Sequence, residues 1–150
     1  MKEFLKSVLY KDNKVHNGIL RKSFFIKTCG ENIYNDIIKS KSVVITESIG
    51  DNLALLKHNI NNSIVIFGLN LSSKTMKFLI ETNLNHIIIS TNNDIDKNSA
   101  GNKAAEDIKK KLLNFFDEKR IHVMLPKSKD WGCSSELDIL AFKDQIDKLA

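Results

Sequence analysis

Proline is almost missing from this chain: Pro126 is the only one in 150 residues, so little in the backbone forces helices or strands to break. Cysteine is nearly as scarce. Cys29 and Cys133 are far apart, and neither has a second Cys or a His at zinc-ligand spacing, so neither a structural zinc site nor a disulfide framework is expected. No apolar run approaches the length of a membrane span. The first residues, MKEFLKSVLYKDNK, alternate charged and apolar side chains too closely to hold a signal-peptide core. A cytoplasmic location without membrane attachment is expected. The four histidines, His16, His58, His86 and His122, are scattered, and no role is assigned to them.

What is present is ordinary in amount and uneven in place. With 42% hydrophobic and 27% charged residues, the chain has the composition of a soluble domain with one core. Its net charge of +5 is not spread along it: residues 1–41 hold nine Lys/Arg against four Asp/Glu, and residues 42–150 hold fourteen of each. A basic N-terminal extension, residues 1–41, attached to a neutral domain, residues 42–150, points to a polyanion such as nucleic acid. Lysines that only solvate the extension account for the charge equally well.

From residue 42 onward short apolar runs alternate with amphipathic stretches. Ser42–Thr46, Ser63–Phe67, His86–Ser90 and Ile121–Leu125 read as strands, the β-branched and continuous kind that is covered on both faces. Between and after them come helical patterns over Asp51–Asn59, from Ser72 as N-cap, from Ser99 to about Asp117, and over Glu136–Leu149. The expected fold class is α/β: a parallel sheet of about four strands with helices on both faces. In residues 1–41 the expectation is a strand over Arg21–Thr28 and a short helix over Ile33–Ile38.

Sites in such sheets form at the carboxyl ends of the strands, and three of those four ends carry acids. Glu47 ends the first strand, with Asp51 four residues on and Gly50 placed to let the chain turn between them. Asp94 and Asp96 follow the third strand, and Asp130 follows the fourth. Asp and Asn are also turn formers and caps, which accounts for the run STNNDIDKNSAG by itself. A carboxylate at the end of a buried strand is costly unless paired or bound to a cation, so Glu47 beside the second acidic run suggests a hard divalent ion.

The segments VVITESIGDNLALL (residues 43–56) and HIIISTNNDIDKNSAGNKAAEDI (86–108) carry a resemblance. They are similar to the glutamate motif and the Asp-x-Asp motif of Toprim domains, the metal-binding modules of primases, topoisomerases and related nucleases. IHVMLPKSKDWG (121–132) resembles the later Lys-Asp segment of primase-type members, especially those of bacteriophages. The resemblance covers roughly residues 42–132 and implies Mg²⁺ or Mn²⁺ held by Glu47, Asp94 and Asp96, with Asn92 in reach and Glu47 as general acid or base. Two registers stay open, with either Asn92 and Asp94 or Asp94 and Asp96 as the facing pair. Asp51, Lys97, Gly101, Lys129 and Asp130 are the candidates for meeting nucleotide or nucleic acid, and Lys127 and Trp131 lie beside them.

The function this resemblance implies is that of a DNA primase or its Toprim part, joining nucleotides on single-stranded DNA in phage-type replication. An Ile-, Lys- and Asn-rich composition accords with a virus of AT-rich genome, hence with a host cytoplasm. The chain is short for a whole primase, so it is expected to be a fragment or to work with a replicative helicase or another primase chain. A small Toprim nuclease and a non-catalytic nucleic-acid-binding module are the alternatives. A receiver-like fold is the structural one.

Overall fold

The computed structural model describes residues 30–95 and 99–149. The expected strand over Arg21–Thr28 lies outside the described residues. In chain order the elements are α1 (Gly30–Ser40), β1 (Ser42–Thr46), α2 (Ile49–Lys57), β2 (Ser63–Val65), α3 (Ser73–Glu81), β3 (His86–Ser90), α4 (Ala100–Leu112), β4 (Ile121–Val123) and α5 (Glu136–Asp147). Two short 3-10 turns, Glu118–Arg120 and Trp131–Cys133, flank β4.

The sheet is wholly parallel, in the order β2-β1-β3-β4. Side chains alternate across it with the two-residue period of a strand, and both faces are dry. Val43 and Ile45 of β1 and Ile87 and Ile89 of β3 meet Ile37 of α1, Leu79 of α3 and Ile108 of α4 on one face. Val44 and Ile88, one residue out of phase, meet Leu55 of α2 with Ile139 and Phe142 of α5 on the other. Part of the basic N-terminal extension therefore contributes to the core, through Ile37.

Topology sets where a crevice opens. The step from β1 to β2 runs one way across the sheet, and the steps from β2 to β3 and from β3 to β4 run the other way. A single crossover hand then puts α2 on one face and α3 and α4 on the opposite one. The chain leaving β1 and the chain leaving β3 diverge to opposite faces, and the gap between those carboxyl ends is the switch point where ligands bind in open α/β sheets.

Element boundaries differ from the sequence reading where local geometry intervenes. Strand β2 ends at Val65 rather than Phe67, because Ile66 still donates to Thr46 O at 2.9 Å but Phe67 turns left-handed at φ 53°, followed by Gly68 at φ 136°. Strand β4 ends at Val123, with Met124 N–H still reaching Ile89 O at 3.0 Å. Helix α4 stops at Leu112, five residues early, where the Asn114 amide donates to the carbonyls of Lys110 and Lys111 and competes with the backbone ladder.

Among the described residues β4 is an edge strand paired with β3, and side chains tie the two as well: His86 Nδ1 and His122 Nε2 lie 3.0 Å apart, a bond that needs one ring to donate and the other to accept. Burial, and then the neighbouring His86, push the His122 imidazole below its ordinary value of 6.5. A base with a depressed folded value contributes stability that is present above 6.5 and lost as pH falls through the folded value. The urea midpoint is expected to drop between pH 7.5 and pH 5.5, and His122→Gln to shrink that drop; an equal drop in the variant would sink the assignment.

Candidate metal centre

Parallel pairing brings the two acidic motifs level. Thr46 of β1 is in register with Ser90 of β3, so Glu47 and the Thr91–Asp94 segment leave the sheet side by side. The Asn92 N–H lies 3.5 Å from Glu47 Oε2, at the outer limit of a hydrogen bond. Burial pushes the Glu47 carboxyl above its ordinary value; the Asn92 N–H opposes the rise, the charges of Asp51 and Asp94 add to it, and Lys129 pulls it down.

The turn after Glu47 is built by a capping box. Ser48 is the N-cap of α2; its Oγ accepts from Asp51 N–H at 3.2 Å, and Asp51 Oδ2 accepts from Ser48 N–H at 3.2 Å and from Ser48 Oγ at 2.6 Å. The helix thus starts two residues before the expected Asp51, and Gly50 sits in its first turn, with no reversal there for it to permit. Asp51 is 2% exposed, and its Oδ1 accepts Trp131 N–H at 2.9 Å. A buried carboxylate is tolerable here because its hydrogen-bonding capacity is used. Its charge reaches Glu47, while its oxygens join α2 to the segment after β4.

The turn after β3 is packed against the start of α4. A Cβ on Gly101 would lie 2.3 Å from the Asn92 carbonyl oxygen, closer than any side chain is allowed. Thr91 Oγ1 donates to Gly101 O at 2.9 Å, and Gly101 N–H donates to Asp94 Oδ1 at 2.9 Å. Glycine is therefore required by close approach, and its N–H serves Asp94. Asp94 N–H donates to Asn102 Oδ1 at 3.0 Å. Asp96 and Lys97 lie outside the described residues, so the second register, Asp94 with Asp96, does too.

The remaining candidates divide. Lys129 is exposed and acts on Glu47 through its charge. Asp130 caps the following 3-10 turn, its Oδ1 accepting Cys133 N–H at 2.8 Å. Lys127 is ion-paired with Asp138 at 2.9 Å. Trp131 is buried: its indole N–H donates to Ser90 Oγ at 2.9 Å and its ring stacks on Phe142 with centroids 4.3 Å apart, which leaves it no face for a base. Sequence reading missed Ser48, although Ser-x-x-Asp before an apolar run is a capping signature, and it missed Asn93 and Asn102, whose partners are distant in sequence.

Among the described residues no three Asp, Glu, His or Cys side chains converge as a ready-made ligand set. Glu47, Asp94 and Asn92 leave the sheet at the switch point, with two carboxylates and one amide among their side chains. Their oxygens are hard donors, and around Glu47 stand the like charges of Asp51 and Asp94, which among the described residues Lys129 offsets. That donor set fits Mg²⁺ or Mn²⁺, since Mg²⁺ is usually held by one or two carboxylates and keeps several waters or substrate phosphates in its shell.

A profile of the Toprim-like family matches residues 44–133, which takes in both acidic motifs and the segment through Cys133. The chain belongs to the Toprim-like family. Among solved structures, this Toprim-like chain is similar to the RNA polymerase domain of Mycobacterium tuberculosis primase DnaG, with a TM-score of 0.60 and 16% identity over 78% of this chain and 38% of that one. It is also similar to a DnaG catalytic core, with a TM-score of 0.59 and 18% identity over 77% of this chain and 37% of that one. These likenesses show the fold, and the chain spans under two-fifths of the length of either structure. No curated protein matches it. Among the described residues no helix is long and apolar enough to cross a membrane.

Two outcomes test the geometry. Gly101→Ala is expected to cost about 1–3 kcal/mol of stability by urea denaturation, as overpacking against backbone does. For Glu47, a carboxyl raised above 4.5 favours the folded state below 4.5, and that contribution is lost as pH rises through the folded value. In metal-free buffer Glu47→Gln is therefore expected to melt above the wild type at pH 7.5 and level with it at pH 4.

Proposed function

We propose that this Toprim-like chain is the metal-binding part of a DNA primase, serving nucleotidyl transfer on single-stranded DNA in replication of the phage type. The observation that carries the reading is Glu47 set against the Asn92–Asp94 turn at the switch point of a sheet with the fold of primase catalytic cores. Glu47 and Asp94 would hold Mg²⁺ or Mn²⁺, with the Asn92 amide as a neutral third oxygen. The bound ion would supply charge neutralisation for the phosphates of an incoming nucleotide.

The chain's own groups have distinct parts in this reading. Glu47, the carboxylate that burial pushes up, is the group suited to take a proton from an attacking hydroxyl, because a raised value brings a carboxylate nearer to working pH. Lys129, exposed beside it, meets phosphate oxygens as a point charge. Asp96 and Lys97, close after Asp94 in the sequence, stay candidates for the metal and for phosphate. Asp51 and Asp130 act on the site indirectly, Asp51 by holding Trp131 N–H and Asp130 by capping the turn after Lys129. The basic extension, residues 1–41, carries the whole excess of positive charge that single-stranded DNA would meet. The chain spans under two-fifths of either primase structure, so on this reading it works as a fragment of a larger primase or with a helicase or another primase chain.

One observation favours a second reading, a non-catalytic nucleic-acid-binding module. Asp94 commits Oδ1 to the backbone of α4, and Asn92 brings no charge, so the cation site is a weak one. Metal binding separates the two. The full chain is expected to gain a few °C in melting temperature at Mg²⁺ or Mn²⁺ about tenfold above Kd, where linkage gives about 1.4 kcal/mol. Asp94→Asn keeps a capping side chain, since Asn caps as well as Asp, but removes the charge. It is expected to match the wild type without metal and to lose the metal-dependent gain, as Glu47→Gln does.

With the metal and its helicase, the wild type is expected to make labelled oligoribonucleotides on single-stranded DNA, and Glu47→Gln to make none. Cleavage of duplex DNA or structured RNA in place of synthesis would move the reading to a Toprim nuclease. Absence of metal binding would move it to the non-catalytic module.

A further inference from the structure

Helix α4 is capped by a residue that does not adjoin it. In a capping box the N-cap side chain accepts a backbone N–H of the first turn, and the third helical residue reaches back to the N-cap N–H. The N-cap of α4, Ser99, is left-handed at φ 51° and makes no side-chain cap. Asp94 takes its place: Oδ1 accepts Gly101 N–H at 2.9 Å, and its own N–H donates to Asn102 Oδ1 at 3.0 Å. Asn102 stands three residues after Ser99, the position from which a Glu or Gln closes an ordinary box.

Asn102 has a second amide group, and it continues the chain of bonds. Its Nδ2 donates to Asn93 Oδ1 at 3.0 Å; Asn93 Nδ2 donates to Pro126 O at 2.9 Å, and Asn93 N–H donates to Lys129 O at 2.8 Å. The two ends fix how both amides point, since Asp94 N–H can only donate and Pro126 O can only accept. Asp94 is thus joined through Asn102 and Asn93 to the segment after β4 that carries Lys129.

We infer that Asn93 and Asn102 are positioning residues for the divalent cation, an amide clasp that sets the Asp94 carboxylate against Glu47 and fixes the Lys129 segment to the same turn. The inference rests on Glu47 and Asp94 holding the ion, as proposed above. Neither asparagine touches it. Beyond Ser90 the turn has left the β1–β3 ladder, and the one bond from it to Glu47 is long, at 3.5 Å. The direction of the Asp94 side chain is set by Gly101 N–H and by the clasp on its own N–H. Outer-shell partners of metal ligands typically alter affinity about 10–100-fold when removed.

A merely structural cap predicts a loss of stability and no change in affinity for the ion, so the two must be read separately. On the full chain, Mg²⁺ affinity is measured by calorimetry and metal-free stability by urea denaturation, for Asn102→Ala, Asn93→Ala and the double variant. Each single variant is expected to weaken Mg²⁺ binding about 10–100-fold. The double variant is expected to be little worse than the weaker single one, because both break one chain of bonds.

Asn93→Ala leaves the Asp94 bonds to Gly101 and Asn102 in place, so it carries the test even if Asn102→Ala fails to fold. Wild-type Mg²⁺ affinity in a folded Asn93→Ala protein would overturn the clasp. Absence of Mg²⁺ binding to the wild type would overturn it together with the metal reading beneath it, which distinguishes the two failures.

Discussion

The β1–β3 pairing is the constraint on which the site depends. Its five rungs, from Ser42 with His86 to Thr46 with Ser90, hold two central strands level, and every residue of β1 is buried. Because the ladder is parallel, both strands end on the same side of the sheet. Because the sheet order reverses there, the chains leaving them diverge. A crevice bordered by Glu47 and by Asn92–Asp94 follows from those two facts before any polar interaction is considered. A slip of one residue would turn Val44 and Ile88 toward the wrong layer, so the core that sets the register also sets the acids.

The polar groups around that crevice are arranged to concentrate negative charge rather than to disperse it. Asp51 is nearly inaccessible, and its bonds to Ser48 and to Trp131 N–H make that burial tolerable. Asp51 and Asp94 both act on Glu47 through their charge, and among the described residues Lys129 acts against them. A site organised for the stability of the empty protein would not gather like charges about a half-buried carboxyl. Burial first, and then those like charges, raise the Glu47 carboxyl, and on the metal-binding reading a divalent cation would relieve it.

Much of this is legible in the sequence. Ser42–Thr46 and His86–Ser90 were bounded correctly as strands because β-branched runs buried on both faces leave little ambiguity, and Ser72 is the N-cap of α3 as its place before Met76 and Leu79 suggested. Expectations departed where partners are not neighbours in the chain. Nothing local to Trp131 says that its N–H meets Asp51 and its indole meets Ser90, which turns a candidate base-stacking residue into a core one. Nothing local to Gly101 says that Asn92 O lies where its Cβ would go, or that its N–H is used by Asp94 within the chain. The His86–His122 pair is invisible for the same reason, since its residues are 36 apart and meet only through the β3–β4 register.

The two accounts of the acidic run, a turn that caps a helix and half of a cation site, need not compete, and Asp94 shows why in electrostatic terms. The amino end of α4 presents unpaired N–H groups and the positive end of the helix dipole, which favour a carboxylate there whatever else it does. One oxygen bonded to Gly101 N–H fixes where the charge lies, and Oδ2 accepts no hydrogen bond from another described residue. For Glu47 the one bond among the described residues is the long one from Asn92 N–H to Oε2, and burial is the largest influence on its carboxyl. Two carboxylates at one crevice thus differ in kind, one anchored to backbone and one held in place mainly by its strand. On the metal-binding reading that difference assigns their parts, with Asp94 as the anchored ligand and Glu47 as the group free to exchange a proton. The neutral Asn92 is compatible with both, because its backbone N–H, which any residue at that position would supply, is the part that meets Glu47.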